Sequence, residues 1–179
     1  KYINTPQTIV YDKGRQVFGL SAAKESIRKS DYAVVVEGNM DVIASHQAGV
    51  LNVVATAGTA ITEMHLKALA RFTGDIRLCF DADSAGINAT ERAVGLAQKA
   101  GVTLSMISLS GSKDPDELIS KDPKKWLAAV AVKTYALDWL IERYQSLNDI
   151  SSAEGKKAFT DTLQPVVGRL TDPIAKEPY

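Results

Sequence analysis

The sequence predicts an α/β protein in which a parallel sheet is flanked by helices and followed by a C-terminal helical subdomain. Three observations lead there. Short apolar runs without alternation recur through the middle of the chain, at Tyr32 to Val36, Val53 to Ala55, Ile76 to Phe80 and Leu104 to Ile107. Such runs suit strands buried on both faces. Helical patterns lie between them, and strand–helix–strand repetition at this spacing implies right-handed crossovers and a parallel sheet. From Trp126 onward the strand signals stop, and the expected divisions are 1–30 (a lead-in segment), 31–125 (the sheet domain) and 126–179 (the helical subdomain).

The helices follow from side-chain spacing. Met40 to Ala48 places Met40, Ile43, Ala44 and Ala48 on one face, and Thr62 is an N-cap for the helix carrying Leu66, Leu69 and Ala70. After Ser84, the positions Ala89, Ala93, Leu96, Ala97 and Ala100 keep the helical period, and Gly101 closes the helix. Asp114-Pro115 and Asp122-Pro123 are cap–proline helix starts. Ala136, Leu137, Leu140, Ile141 and Tyr144 form a stripe with Trp139 at its margin. Ser151 to Glu154 reads as a capping box opening a second helix through Phe159 and Leu163, interrupted at Pro165 and Gly168. The first thirty residues show turn signals at Asn4 to Pro6 and Asp12 to Gly14 and resist further assignment.

Composition narrows the function. Of 179 residues, 45% are hydrophobic and 23% charged, with zero formal net charge, the balance of an ordinary globular domain. Charge is unevenly placed, however. Lys1, Lys13, Arg15, Lys24, Arg28 and Lys29 face only Asp12 and Glu25 in the first thirty residues, and the sign reverses at Asp31, Glu37 and Asp41. A basic approach beside an acidic pocket suits a polyanion brought to a metal. The single Cys79 excludes an internal disulfide and a Cys/His zinc site, and is expected to be buried in its strand. No apolar run nears the roughly 18 residues that span a bilayer, so no membrane association and a cytoplasmic location are expected. The chain opens on Lys1 rather than methionine, so a piece of a longer protein is also expected.

The acids carry the chemical argument. Glu37-Gly38 directly follows one strand, with a glycine that would let the backbone turn and a ligand approach; Asp81-Ala82-Asp83 follows another. Parallel sheets bind ligands at the carboxyl ends of their strands. Residues i and i+2 of an extended segment share a side, so Asp81 and Asp83 can converge on one cation, with Asp41 one helical turn beyond Glu37. Asp114 and Asp116 taken alone read as helix-start acids. The small-residue loop Ala55 to Ala60 offers backbone amides to phosphate, or is an ordinary turn. His46 and His65 lack partners at metal-ligand spacing, so surface or helix-packing roles are expected, and no Ser-His-Asp or Cys-His arrangement supports covalent catalysis.

The motifs Glu37-Gly38-Asn39-Met40-Asp41-Val42, Gly58-Thr59-Ala60, Phe80-Asp81-Ala82-Asp83-Ser84-Ala85-Gly86 and Asp114-Pro115-Asp116 resemble, in order, the Toprim domain of bacterial DNA primases. Lys1 to Pro6 and Lys13 to Leu20 are similar to the segments leading into that domain, and Ser152 to Tyr179 to the helical end of the primase polymerase domain. Topoisomerase relatives follow the glutamate with other residues. The family commonly has tyrosine at the position of Asn39 and often glycine at that of Ala82; neither change removes a carboxylate.

The resemblance implies a Toprim-type fold and synthesis of short RNA primers on a single-stranded DNA template from ribonucleoside triphosphates. It implies Mg2+ (or Mn2+) on Asp81, Asp83, Asp114 and Asp116, with Glu37 essential at the reaction centre as metal ligand or proton-transfer group and Asp41 supporting the acidic patch. Lys1, Asn4, Lys13 and Arg15 would contact nucleotide phosphates or template. The replicative helicase would be met through a downstream domain absent here, and the place of action would be the bacterial replication fork. The alternatives are a Toprim nuclease or topoisomerase fragment and a non-catalytic nucleic-acid-binding module.

Overall fold

The structure is a computed structural model that describes residues 6–9, 11–80, 84–170 and 173–179. Strands β1 (Ala33–Val36), β2 (Val53–Ala55), β3 (Asp75–Cys79), β4 (Thr103–Met106) and β5 (Thr134–Tyr135) form one sheet in the order β2-β1-β3-β4-β5. The first four are mutually parallel, as the uninterrupted apolar runs require. The expectation of a purely parallel sheet ending before Trp126 is corrected at one edge: β5 runs antiparallel to β4, with Ser105 opposite Tyr135 and Met106 opposite Thr134. Two residues are too few to leave a periodic signature, and they return the chain across the sheet edge without a crossover.

Helices α1 (Leu20–Ser30), α2 (Asn39–Gln47), α3 (Glu63–Ala70), α4 (Ser84–Ala100), α5 (Pro115–Lys121), α6 (Pro123–Ala131), α7 (Ala136–Leu147), α8 (Ala153–Gly168) and α9 (Pro173–Lys176) complete the described elements. Strand alternation splits the core in two. Ala33, Val35, Val54, Ile76, Leu78, Leu104 and Met106 pack with Ala23 and Ile27 of α1, Leu66 and Leu69 of α3, Ala93 and Ala97 of α4, and Leu137 and Leu140 of α7. Val34, Val36, Val53, Ala55 and Cys79 face the other way, against Val42 of α2, Leu118 of α5, and Trp126 and Val130 of α6. Cys79 is buried as expected.

The lead-in segment joins this core. Ala23 and Ile27 are fully buried, and Phe18 exchanges backbone hydrogen bonds of 2.9 and 3.1 Å with Ala55, covering the outer edge of β2. The helical end is equally continuous with the sheet: α7 buries Leu137, Leu140 and Tyr144, and the Tyr144 hydroxyl donates to the Glu91 carboxylate on α4. Burial and the Glu91 charge both push the Tyr144 phenol up. In α8 the cap is Ser152, whose hydroxyl accepts from Gly155 N at 3.0 Å, so the N3 position is Gly155 and the box expected from Ser151 and Glu154 does not form. Pro165 lies inside α8 instead of ending it, and Val166 is buried in the main core. Apolar contact there offsets the backbone hydrogen bond that the proline removes.

No helix among the described residues is long and apolar enough to cross a membrane.

Candidate active site

The chain passes from β1 to β2 on one side and from β2 back to β3 on the other, so the strand order reverses at β1. In open α/β sheets a crevice opens beyond the carboxyl ends of the strands at such a reversal. The register places Ala55, Val36 and Cys79 side by side on β2, β1 and β3. The next residue of each strand, Thr56, Glu37 and Phe80, therefore lines the same cavity of about 320 Å³, completed by Gly58 to Ile61, Gly86, Ala89 and Arg92. Glu37 is exposed at this crevice. Asp81 and Asp83 lie in the stretch between Phe80 and Ser84, outside the described residues, as do Lys1 and Asn4.

The loop after β2 is held by its own backbone. Thr56 N donates to Val36 O (3.4 Å), Gly58 N to Glu37 O (3.3 Å) and Thr59 N to Thr56 O (3.3 Å). Ala57 and Gly58 take left-handed conformations, φ 55° and 75°. Those three amides thus close the turn rather than face a phosphate, which favours the ordinary-turn reading of this loop. Docking the loop on the Glu37 carbonyl fixes one wall of the cavity.

Gly38 serves a different purpose from the one its sequence context suggests. Its φ and ψ, −104° and 152°, are open to any residue. A Cβ there would sit 2.9 Å from Asp41 Oδ2, and that carboxylate accepts from Gly38 N at 3.1 Å. The glycine makes room for Asp41, which caps the first turn of α2.

Asp41 Oδ1 also accepts from Asp116 N at 3.3 Å, joining the start of α2 to the start of α5. Asp114 caps α5 by accepting from Glu117 N at 2.8 Å through Oδ1, with Pro115 at N1. The helix-start reading of Asp114 thus holds in the structure, and a cap through one oxygen leaves the other for a second role. Burial pushes the Asp41 carboxyl up, with the Asp114 and Asp116 charges acting the same way, while the two backbone N–H groups oppose them. The structure therefore brings Asp41, Asp114 and Asp116 together and connects them through Gly38 to Glu37.

A raised carboxyl binds its proton more tightly in the folded chain. Asp41's contribution to stability is therefore full below the ordinary carboxylate pKa and is lost as pH rises through the raised one. Asp41→Asn is expected to lose about 1–3 kcal/mol, because an amide cannot accept from both N–H groups. That deficit should grow as pH is lowered through the mildly acidic range; chemical denaturation at several pH values checks it.

Lys13 and Arg15 lie on a 3-10 turn (Lys13–Arg15), Arg15 exposed and Lys13 partly so. Arg92 escaped the reading of the sequence. Its signal was the i, i+3, i+6 series Gly86, Ala89, Arg92, two small residues and a cation on the face of α4 that lines the cavity.

Among the described residues there is no group of three or more His, Cys, Asp or Glu placed to hold a metal ion. Asp41, Asp114 and Asp116 lie near one another without forming such a group, and their side chains offer only carboxylate oxygens. That chemistry fits a hard divalent cation and not zinc held by sulfur or nitrogen.

A family model described as Toprim-like matches residues 34–119, from the second residue of β1 through β4 and into α5. The whole chain is 37% identical to a DNA primase from Synechococcus elongatus. Over its whole length the chain is thus homologous to one part of DNA primases. It spans 27% of that relative's length and 30% of a Campylobacter jejuni DNA primase that is also 37% identical. Among solved structures, the RNA polymerase domain of Mycobacterium tuberculosis primase DnaG is similar over all of this chain and 59% of that one, with a TM-score of 0.83 and 35% identity. A DnaG primase catalytic domain bound to ssDNA is similar over 98% of this chain and 58% of that one, with a TM-score of 0.81 and 29% identity.

A second family model, described as the DnaB-helicase binding domain of primase, matches residues 137–179. That match includes Ser152 to Tyr179, which the resemblance assigns to the end of the polymerase domain, with helicase contact placed downstream. The fold places its first helix, α7, within the sheet's own core.

Proposed function

We propose that the chain is the catalytic part of a bacterial DNA primase, building short RNA primers on single-stranded DNA from ribonucleoside triphosphates at the replication fork in the cytoplasm. The observation that carries this is the placement of Glu37 on a cavity at the strand-order reversal, tied through Gly38 and Asp41 to the acids that open α5. In the reaction a primer 3′-hydroxyl oxygen bonds to the α-phosphorus of the incoming nucleotide, the bond to the bridging oxygen breaks, and pyrophosphate leaves.

Asp81, Asp83, Asp114 and Asp116 would hold Mg2+ or Mn2+, with Glu37 as a further ligand or as the group that takes the hydroxyl proton. The metal would offset the charge that develops on the phosphate oxygens and pyrophosphate. The chain's own part is positional: Asp41 sets the spacing between the Glu37 end of β1 and the start of α5. Lys1, Asn4, Lys13 and Arg15 would contact nucleotide phosphates or template, and Arg92 would add a cation to the far wall of the cavity.

The division proposed for the parent protein is a lead-in at 1–30, the Toprim domain at 31–125 and the helical subdomain at 126–179, with α1 docked onto the Toprim core. Helicase contact would use surfaces of the last part left outside the core, or a segment downstream. A nuclease or topoisomerase reading is not favoured, because the relatives that match the whole chain are primases.

Titration with Mg2+ or Mn2+ tests the metal assignment. Full-length protein carrying Asp81→Asn and Asp83→Asn should bind either ion at least about tenfold more weakly, the loss of roughly 1.4 kcal/mol or more. Unchanged affinity would remove the metal from these aspartates.

A further inference from the structure

Thr62 and His65, at the start of α3, make contacts that the site described so far does not use. The Thr62 hydroxyl donates to Gly14 O at 2.6 Å and accepts from His65 N at 3.1 Å. Thr62 N donates to His65 Nδ1 at 3.3 Å, so Nδ1 carries no hydrogen and Nε2 does. Nε2 then donates to Lys13 O at 2.8 Å. His65 is 1% exposed, and burial holds its imidazole below the usual histidine range, against the Lys13 carbonyl and the Asp12 charge. The neutral tautomer that satisfies both ring nitrogens is therefore the resting form. On the other side, Asp12 Oδ1 accepts from Gly14 N at 2.9 Å and closes the turn. Two consecutive carbonyls of the basic turn, those of Lys13 and Gly14, thus end on one helix start. The residues just before that start, Thr59, Ala60 and Ile61, line the Glu37 cavity.

We propose that Thr62 and His65 form a latch fixing the Lys13–Arg15 turn beside the cavity, and that His65 is a positioning residue through which Lys13 is presented to the phosphates of a ribonucleoside triphosphate. This rests on the primase reading for the identity of the ligand. An ordinary helix cap would need only the Thr62 contact to His65 N. The two bonds that leave the helix for the turn, 48 and 52 residues away in sequence, are what a cap does not require.

The test uses full-length protein and ATP, with affinity measured by equilibrium binding and KM and kcat by primer synthesis. His65→Ala should weaken ATP binding and raise KM roughly tenfold, the order expected for losing one or two hydrogen bonds, with a smaller change in kcat. Thr62→Val should do the same. His65→Gln, which keeps a donor within reach of Lys13 O, should restore most of the affinity. In a Lys13→Ala background, His65→Ala should weaken binding no further, because its effect runs through Lys13. Equal losses with and without Lys13, or no change in His65→Ala, would overturn the latch, as would a wild type that fails to bind ATP. ATP binding that shows the expected non-additivity without any primer synthesis would uphold the latch and reject the primase reading.

Discussion

Glu37→Gln is expected to abolish primer synthesis while leaving the fold intact. Glutamine keeps the size of the side chain but can neither accept a proton nor carry charge to a metal. Loss of a positioned acid–base group typically lowers a rate on the order of 10²- to 10⁴-fold, and the same range is expected for kcat here. The exposed side chain carries no part of either core, and its backbone carbonyl, which anchors the loop through Gly58 N, is unaffected by the change. The variant should therefore remain folded, with a cooperative melting transition that calorimetry checks. If the aspartates hold the metal and Glu37 acts at the reaction centre, Mg2+ affinity in Glu37→Gln will remain near that of the wild type. A loss of affinity as large as that in the Asp81→Asn, Asp83→Asn protein would make Glu37 a principal ligand instead.

The largest effect on stability is expected from Trp126→Ala. Trp126 is fully buried in the smaller of the two cores, where α5 and α6 cover the face of Val34, Val36 and Cys79. Its indole nitrogen has no hydrogen-bond partner among the described residues, so packing is its contribution. Truncating a buried tryptophan costs about 3–5 kcal/mol, a large share of the 5–15 kcal/mol that stabilises a typical domain. Leu118 of α5 belongs to the same core, and α5 begins at the acids Asp114 and Asp116. The substitution should therefore weaken divalent-metal binding as well as lower the midpoint of denaturant unfolding. Trp126→Phe, which keeps most of the apolar volume, should restore much of both. Metal affinity that is unmoved while stability falls would separate α5 from the site.

Much of this was readable because parallel strands buried on both faces leave uninterrupted β-branched runs. Val34 to Val36 and Ile76 to Cys79 announced two strands, and with them the end of β1 where Glu37 stands. Thr62 and Asp114 were legible as caps for the same reason of local chemistry. Features that depend on distant partners were not. Arg77 sits in an apparently apolar run, yet its guanidinium lies 3.6 Å over the Tyr32 ring and donates to Val130 O at 2.7 Å, contacts 45 and 53 residues away in sequence. Helix α1 was hidden by its charges, although Leu20, Ala23 and Ile27 have helical spacing and the last two are buried. Pro165 read as a break because propensity is local, whereas Val166 packs into a core that spans the fold. In the site, the purpose of Gly38 needed the position of the Asp41 carboxylate, and the link from Asp41 to Asp116 crosses 75 residues. No spacing rule reports either contact.

One measurement bears most directly on the proposed chemistry. Full-length protein incubated with single-stranded DNA, ribonucleoside triphosphates and Mg2+ should yield short RNA complementary to the template, and Glu37→Gln should yield none. Scission of the DNA without RNA synthesis would contradict the account.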